Sequence, residues 1–200
     1  QQLGVQVLCS DAPRADRGTL ADHVPLADAL TQADVVSIHV PLTDGGPYPT
    51  RGLLTEALLA RSPAGCLLIN AARGPVISEA ALVKSHCDLA LDVFPDEPVI
   101  SDALLERAWR VSPHIAGHSV EGKVRGTQQV VRALCNALQV PLPSFDFEAF
   151  CDRLAPCSTE PSIMARIEAC CPLDKTDRAL RDACIGRTEA DRAHAFDQVR

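Results

Sequence analysis

The 200-residue chain has no basic excess. Nineteen Lys and Arg stand against 26 Asp and Glu, for a formal net charge of −7. A nucleic-acid-binding face needs clustered positive charge, so that class is set aside. No apolar run approaches the ~20 residues that cross a bilayer. The longest, such as Ala33 to Val40, are strand-length and broken by polar residues. The chain opens on Gln1 without the basic and apolar regions of a signal peptide, and a cytoplasmic location is expected. Among nine cysteines there is no Cys-x-x-Cys pair, so no metal is expected. Cys9, Cys66 and Cys135 sit in apolar segments and are expected to be buried. No disulfide is expected among Cys151, Cys157, Cys170, Cys171 and Cys184, given the compartment.

What is present is an alternation. Short, almost wholly apolar runs predict strands at Val5–Cys9, Val35–His39, Cys66–Ile69, Leu89–Val93 and Arg110–Ser112. Helical patterns separate them at Leu26–Gln32, Thr55–Arg61, Ser78–Ser85 and Asp102–Ala108, with Thr55 and Ser78 as N-caps. Strands apolar on both faces belong to a covered parallel sheet. Strand, helix, strand in repetition predicts an α/β, doubly wound, Rossmann-like sheet. Val120, Val124, Val131, Leu134 and Leu138 then recur at helical spacing over Ser119–Leu138, although Gly122 and Gly126 weaken that helix by up to ~1 kcal/mol each. These glycines are read as places of close packing. Pro141 and Pro143 end the pattern. Helical stretches follow at Ser162–Cys170 and Thr176–Cys184. The division read from this is 1–117, a nucleotide-binding domain; 118–140, a connecting helix; and 141–200, part of a further domain.

Ligands of such a sheet bind beyond the carboxyl ends of its strands. Asp11, after the first run, is either a ribose-binding acid or the cap of a turn. His39 reads as structural. The small Ala71 and Ala72 allow a cofactor close to the backbone, and Arg73 presents a fork suited to a carboxylate; it reads alternatively as a surface Arg. Asp92 is costly to bury in an apolar run without a partner, a cofactor amide being one candidate. Glu97 lies in a loop stiffened by Pro95 and Pro98, and His114 stands at the last strand end. A carboxylate on one imidazole nitrogen fixes the tautomer, leaving the other nitrogen to exchange a proton near neutral pH.

Three stretches carry a resemblance: Asn70-Ala-Ala-Arg-Gly74, Leu91-Asp-Val-Phe-Pro-Asp-Glu-Pro98 and Ser112-Pro-His-Ile-Ala-Gly117. They resemble the signature blocks of the D-2-hydroxyacid dehydrogenase family. The resemblance implies a catalytic set of Arg73, Glu97 and His114. It implies NAD as cofactor, held by Asp11, Val40, Ala71, Ala72, Arg73, Asp92 and Gly117. Substrate contact falls to Arg73 and His118. Val40 stands where the family often has Thr, and His118 where it usually has Tyr.

Asp11 to Gly18, the loop Asp44 to Thr50, and His114 to Thr127 resemble one branch of that family more narrowly. That branch implies a phosphorylated 2-hydroxy acid as substrate, a homodimer, and residues after 140 that begin a C-terminal dimerisation domain. It implies no nucleic-acid or membrane partner. The other readings are a phosphoglycerate- or hydroxypyruvate/glyoxylate-type member, an inactive fragment, or an NAD-sensing binding protein on the same fold. One element is missing: no G-x-G-x-x-G occurs, the turn that holds a pyrophosphate at a helix N-terminus. Gln1 to Gly4 read as the end of the helix that follows such a turn. The expectation is a chain lacking its first strand, that turn and a preceding substrate domain, ending inside the C-terminal domain, and binding NAD poorly.

Overall fold

The computed structural model describes residues 4–144, 146, 165 and 171–200. The chain forms two compact units, residues 1–113 with 176–200, and residues 114–175.

In the first unit, apolar runs form four parallel strands: β1 (Val35–Ile38), β2 (Leu67–Asn70), β3 (Asp88–Leu91) and β4 (Arg110–Val111). They pair in the order β1-β2-β3-β4, with Val35 opposite Leu67 and Leu67 opposite Asp88. Five helices accompany them: α1 (Ala12–Asp16), α2 (Leu26–Gln32), α3 (Glu56–Leu59), α4 (Glu79–Lys84) and α5 (Asp102–Arg107). Thr55, Ser78 and Ser101 cap α3, α4 and α5, their hydroxyls accepting from Leu58, Ala81 and Leu104 N–H. Each cap satisfies a donor that the first helical turn leaves open. Leu59, Leu68, Leu82, Leu89, Leu104 and Leu105 fill the core between sheet and helices. Burying each contributes about 1.5–3 kcal/mol.

Two later helices return to this unit. α7 (Leu173–Cys184) from Thr176 onward and α8 (Glu189–Val199) bring Leu180, Cys184 and Phe196 into the same core. The division therefore differs from the one read along the sequence, which gave residues 141–200 to a separate domain. Polar side chains hold the join. Val111 N–H donates to the buried Asp177 carboxylate at 2.8 Å, and Arg181 donates to Ala108 O at 2.8 Å. Arg192 donates to Ile100 O and to Asp102, each at 2.8 Å.

In the second unit, α6 (Val120–Leu138) is the long helix expected, capped by Ser119. Gly126 faces open space, and a methyl on Gly122 would meet only Ser119 Oγ, so among the described residues neither serves close packing. The stretch Ser162–Cys170 lies outside the described residues.

The run Val5–Cys9 is not a strand. It forms a single bridge, Cys9 with His23. In a sheet of strand order 3-2-1-4-5-6, such a run pairs with a central strand that also pairs the fourth. No described residue supplies that strand. Val5, Val7 and Val35 are 56%, 63% and 55% exposed. Cys9 is exposed too, against expectation, whereas Cys66 and Cys135 are buried. Among the described residues no helix is long and apolar enough to cross a membrane.

Candidate active site

The carboxyl ends of β2 and β3 lie side by side, and each turns into a loop fixed by its own polar groups. Asn70, fully buried at the end of β2, holds the first loop at two points. Its Oδ1 accepts from Ala72 N–H and its Nδ2 donates to Arg73 O, both at 3.1 Å. Ala71 and Arg73 are exposed and Ala72 is half-buried. The Arg73 guanidinium donates back to Ala72 O at 2.6 Å. Its charge is thus at the surface of the strand end, folded onto its own loop.

Beyond β3, Asp92 is buried, with its N–H on Asn70 O at 2.9 Å. The strand stops at Leu91, so Asp92 stands just after it rather than inside. Its carboxylate accepts from the Ser112 hydroxyl at 2.5 Å. A protein group thus answers the burial for which a cofactor amide was one candidate. Glu97 is half-buried, and its Oε1 accepts from Phe94 N–H at 2.7 Å. That bond closes the loop on itself and aims the carboxylate.

The two loops touch at Gly74. A Cβ built there would lie 1.8 Å from Phe94 O. Only glycine allows the backbone after Arg73 to meet the backbone before Glu97. Arg73 and Glu97 are therefore carried by loops in direct contact, on neighbouring parallel strands.

Toward the other edge, Asp11 is half-buried and caps α1, its Oδ1 accepting from Arg14 N–H at 3.0 Å. The turn-cap reading is what the geometry contains, and one oxygen remains for a ribose hydroxyl. Val40 packs on the core just after β1. His39 is exposed, its Nε2 2.8 Å from Ser37 Oγ.

In the second unit, His114 follows β4 through Ser112 and Pro113. It is half-buried and adopts a left-handed backbone, φ 53°. Non-glycine residues there cost about 1–3 kcal/mol and cluster at functional sites. Gly117 and His118 are exposed, and His118 N–H closes a turn on Ile115 O at 2.8 Å. A cavity of about 610 Å³ among Glu79, Asp96, Asp102, Arg187 and Arg192 is lined by none of the residues expected to act. Among the described residues, no group of three or more His, Cys, Asp or Glu could hold a metal.

Asn70, Ser112 and Phe94 escaped the sequence reading. Asn70 carried a signal, since Asn after a strand commonly binds the backbone two residues on. Ser112 and Phe94 carried none, because the Ser112 partner is set by strand register and the Phe94 ring meets a helix a hundred residues on.

A parallel sheet with helices between its strands, and with two polar loops locked together at adjacent strand ends, has the architecture of a nucleotide-binding α/β domain. The D-isomer specific 2-hydroxyacid dehydrogenase, NAD binding domain, matches residues 1–116. The chain belongs to this family, and NAD is the cofactor of the domain. It is 43% identical over 146 residues to the erythronate-4-phosphate dehydrogenase of Cronobacter sakazakii, covering 70% of this chain and 39% of that protein. It is 36% identical over 217 aligned positions to the enzyme of that name from Marinobacter nauticus, covering 100% of this chain and 55% of that protein. Among solved structures it resembles D-lactate dehydrogenase from Aquifex aeolicus, complexed with NAD and lactic acid. That likeness has TM-score 0.53 and 28% identity, over 69% of this chain and 47% of that one. The chain spans about half the length of the curated relatives it matches.

The residues present fit part of NAD. The free oxygen of Asp11 suits a ribose diol, and the small Ala71 and Ala72 leave room along the strand ends. The chain contains no Gly-rich turn for the pyrophosphate.

Proposed function

We propose that this chain carries the cofactor-side half of an NAD-dependent dehydrogenase that oxidises the 2-hydroxyl of 4-phospho-D-erythronate. The product is 2-oxo-3-hydroxy-4-phosphobutanoate, and the reaction serves pyridoxal 5'-phosphate (vitamin B6) synthesis in the cytoplasm. The contact of Gly74 with Phe94 carries this reading, because it binds the Arg73 loop to the Glu97 loop. The relatives named for this activity support the choice of substrate.

Bound NAD would supply the hydride acceptor for C2 of the substrate. The remaining chemistry is assigned to the chain's residues. Arg73 holds the substrate carboxylate and polarises the forming carbonyl. His114 is assigned the hydroxyl proton, and Glu97 the supporting carboxylate of the set. Asp11 binds the ribose and repels a 2'-phosphate, so NAD is preferred to NADP. Asp92, already tied to Ser112, would hold the nicotinamide amide, and Val40, Ala71, Ala72 and Gly117 are the other positions assigned to the cofactor. His118 donates a hydrogen bond to substrate. A homodimer is part of the proposal. Val130, Leu134 and Leu138 share one exposed, helically spaced side of α6, and a second copy would cover it.

The test is NADH formation by the chain extended ahead of Gln1 with a relative's Gly-rich segment and substrate domain. We expect 4-phospho-D-erythronate to be preferred over glycerate, 3-phosphoglycerate and lactate. Arg73→Ala should lower kcat/KM by roughly a hundredfold or more. Equal use of lactate would remove the substrate assignment, and full activity in Arg73→Ala would remove the site.

A further inference from the structure

Phe94 stands where three parts of the first unit meet. Its carbonyl lies against Gly74, and its N–H holds Glu97 Oε1 at 2.7 Å. Its ring meets Phe196 of α8 edge-on, with centroids 6.3 Å apart and planes at 87°. Both rings are 1% exposed. Such edge-to-face pairs are favourable beyond the area they bury, and they fix ring orientation. α8 is itself anchored, since Arg192 donates to Ile100 O and Asp102, and Gly186 N–H donates to Asp102 at 3.2 Å.

We infer that Phe196 is a positioning residue for Glu97. Packed against Phe94, it fixes the backbone N–H that aims the Glu97 carboxylate. The C-terminal helix thereby takes part in setting the site, acting through the Phe94 backbone. Removing the ring leaves a void beside Phe94, and the backbone carrying the N–H gains freedom. The inference rests on the proposed catalytic role of Glu97.

The test compares amide hydrogen exchange in the wild-type chain, Phe196→Ala and Phe196→Leu. Leucine keeps apolar bulk without the ring, so it serves should the alanine variant not fold. The reference is Asp88 N–H, bonded to Cys66 O at 2.9 Å at the far end of β3. We expect Phe94 N–H to exchange about tenfold faster in the variants while Asp88 keeps its rate. Unchanged exchange at Phe94 would overturn the inference, as would acceleration at Phe94 and Asp88 together, which marks global loosening only. Failure of the underlying reading shows separately. Full NAD-dependent turnover by Glu97→Gln in the extended chain would remove the role of Glu97, and the inference with it, whatever the exchange rates.

Discussion

A methyl group on Gly74 would sit 1.8 Å from Phe94 O, against the Phe94–Pro95 peptide, with no flexible side chain to give way. Gly74→Ala is therefore expected to destabilise the fold by about 1–3 kcal/mol, read from urea denaturation midpoints. Turnover should fall further than stability alone explains, because the Arg73 and Glu97 loops separate. Cys66 supplies a pH prediction. Burial, then the neighbouring Cys87 thiol, pushes its pKa from the usual 9.0 up to about 11. Below 9.0 both folded and unfolded chains hold the proton. Above it the unfolded chain loses the proton first, so stability falls as pH rises from 9.0 toward about 11. Cys66→Ala should flatten that part of the stability curve, measured by denaturation across the same window. At this scale the sequence placed Arg73 and Glu97 in the loops after β2 and β3, because apolar runs are readable, but it set Asp92 inside the strand that ends at Leu91. The Ser112 bond to Asp92 was not legible, since it depends on the register of β3 against β4.

Among elements, the strand–helix alternation was legible because covered parallel strands carry their own apolar signature. Caps such as Thr55 and Ser78 stood in the sequence as the structure has them. Val5–Cys9 carried the same signature without becoming a strand. Composition makes a run competent to pair, but only a lateral neighbour makes it a strand. The return of α7 and α8 to the first unit was illegible for a related reason. Asp177 and Arg181 answer backbone groups of β4 and the α5 end, partners far along the chain that helical spacing does not reveal. Asp177→Ala would leave Val111 N–H without its acceptor and Arg181 without its ion partner. The expected loss is about 2–4 kcal/mol, checked by chemical denaturation. Glu189→Ala at the start of α8, on an exposed first turn, should lie within about 0.5 kcal/mol of wild type.

For the whole molecule, the described sheet runs β1 to β4 in one direction without a reversal of order. A dinucleotide in this fold binds at such a reversal, with its phosphates on a Gly-rich turn. The exposed side of β1 is where the described sheet stops, and the absent G-x-G-x-x-G belongs to the same region of the fold. Asp11, which caps α1, is the residue proposed to hold the ribose. The most direct measurement is calorimetric titration of NAD and NADP into the chain extended with a relative's Gly-rich segment, beside the same protein carrying Asp11→Ala. NAD should bind more tightly than NADP, and Asp11→Ala should weaken NAD binding and narrow the preference. Equal binding of both cofactors, unchanged by the substitution, would contradict the proposed role of Asp11.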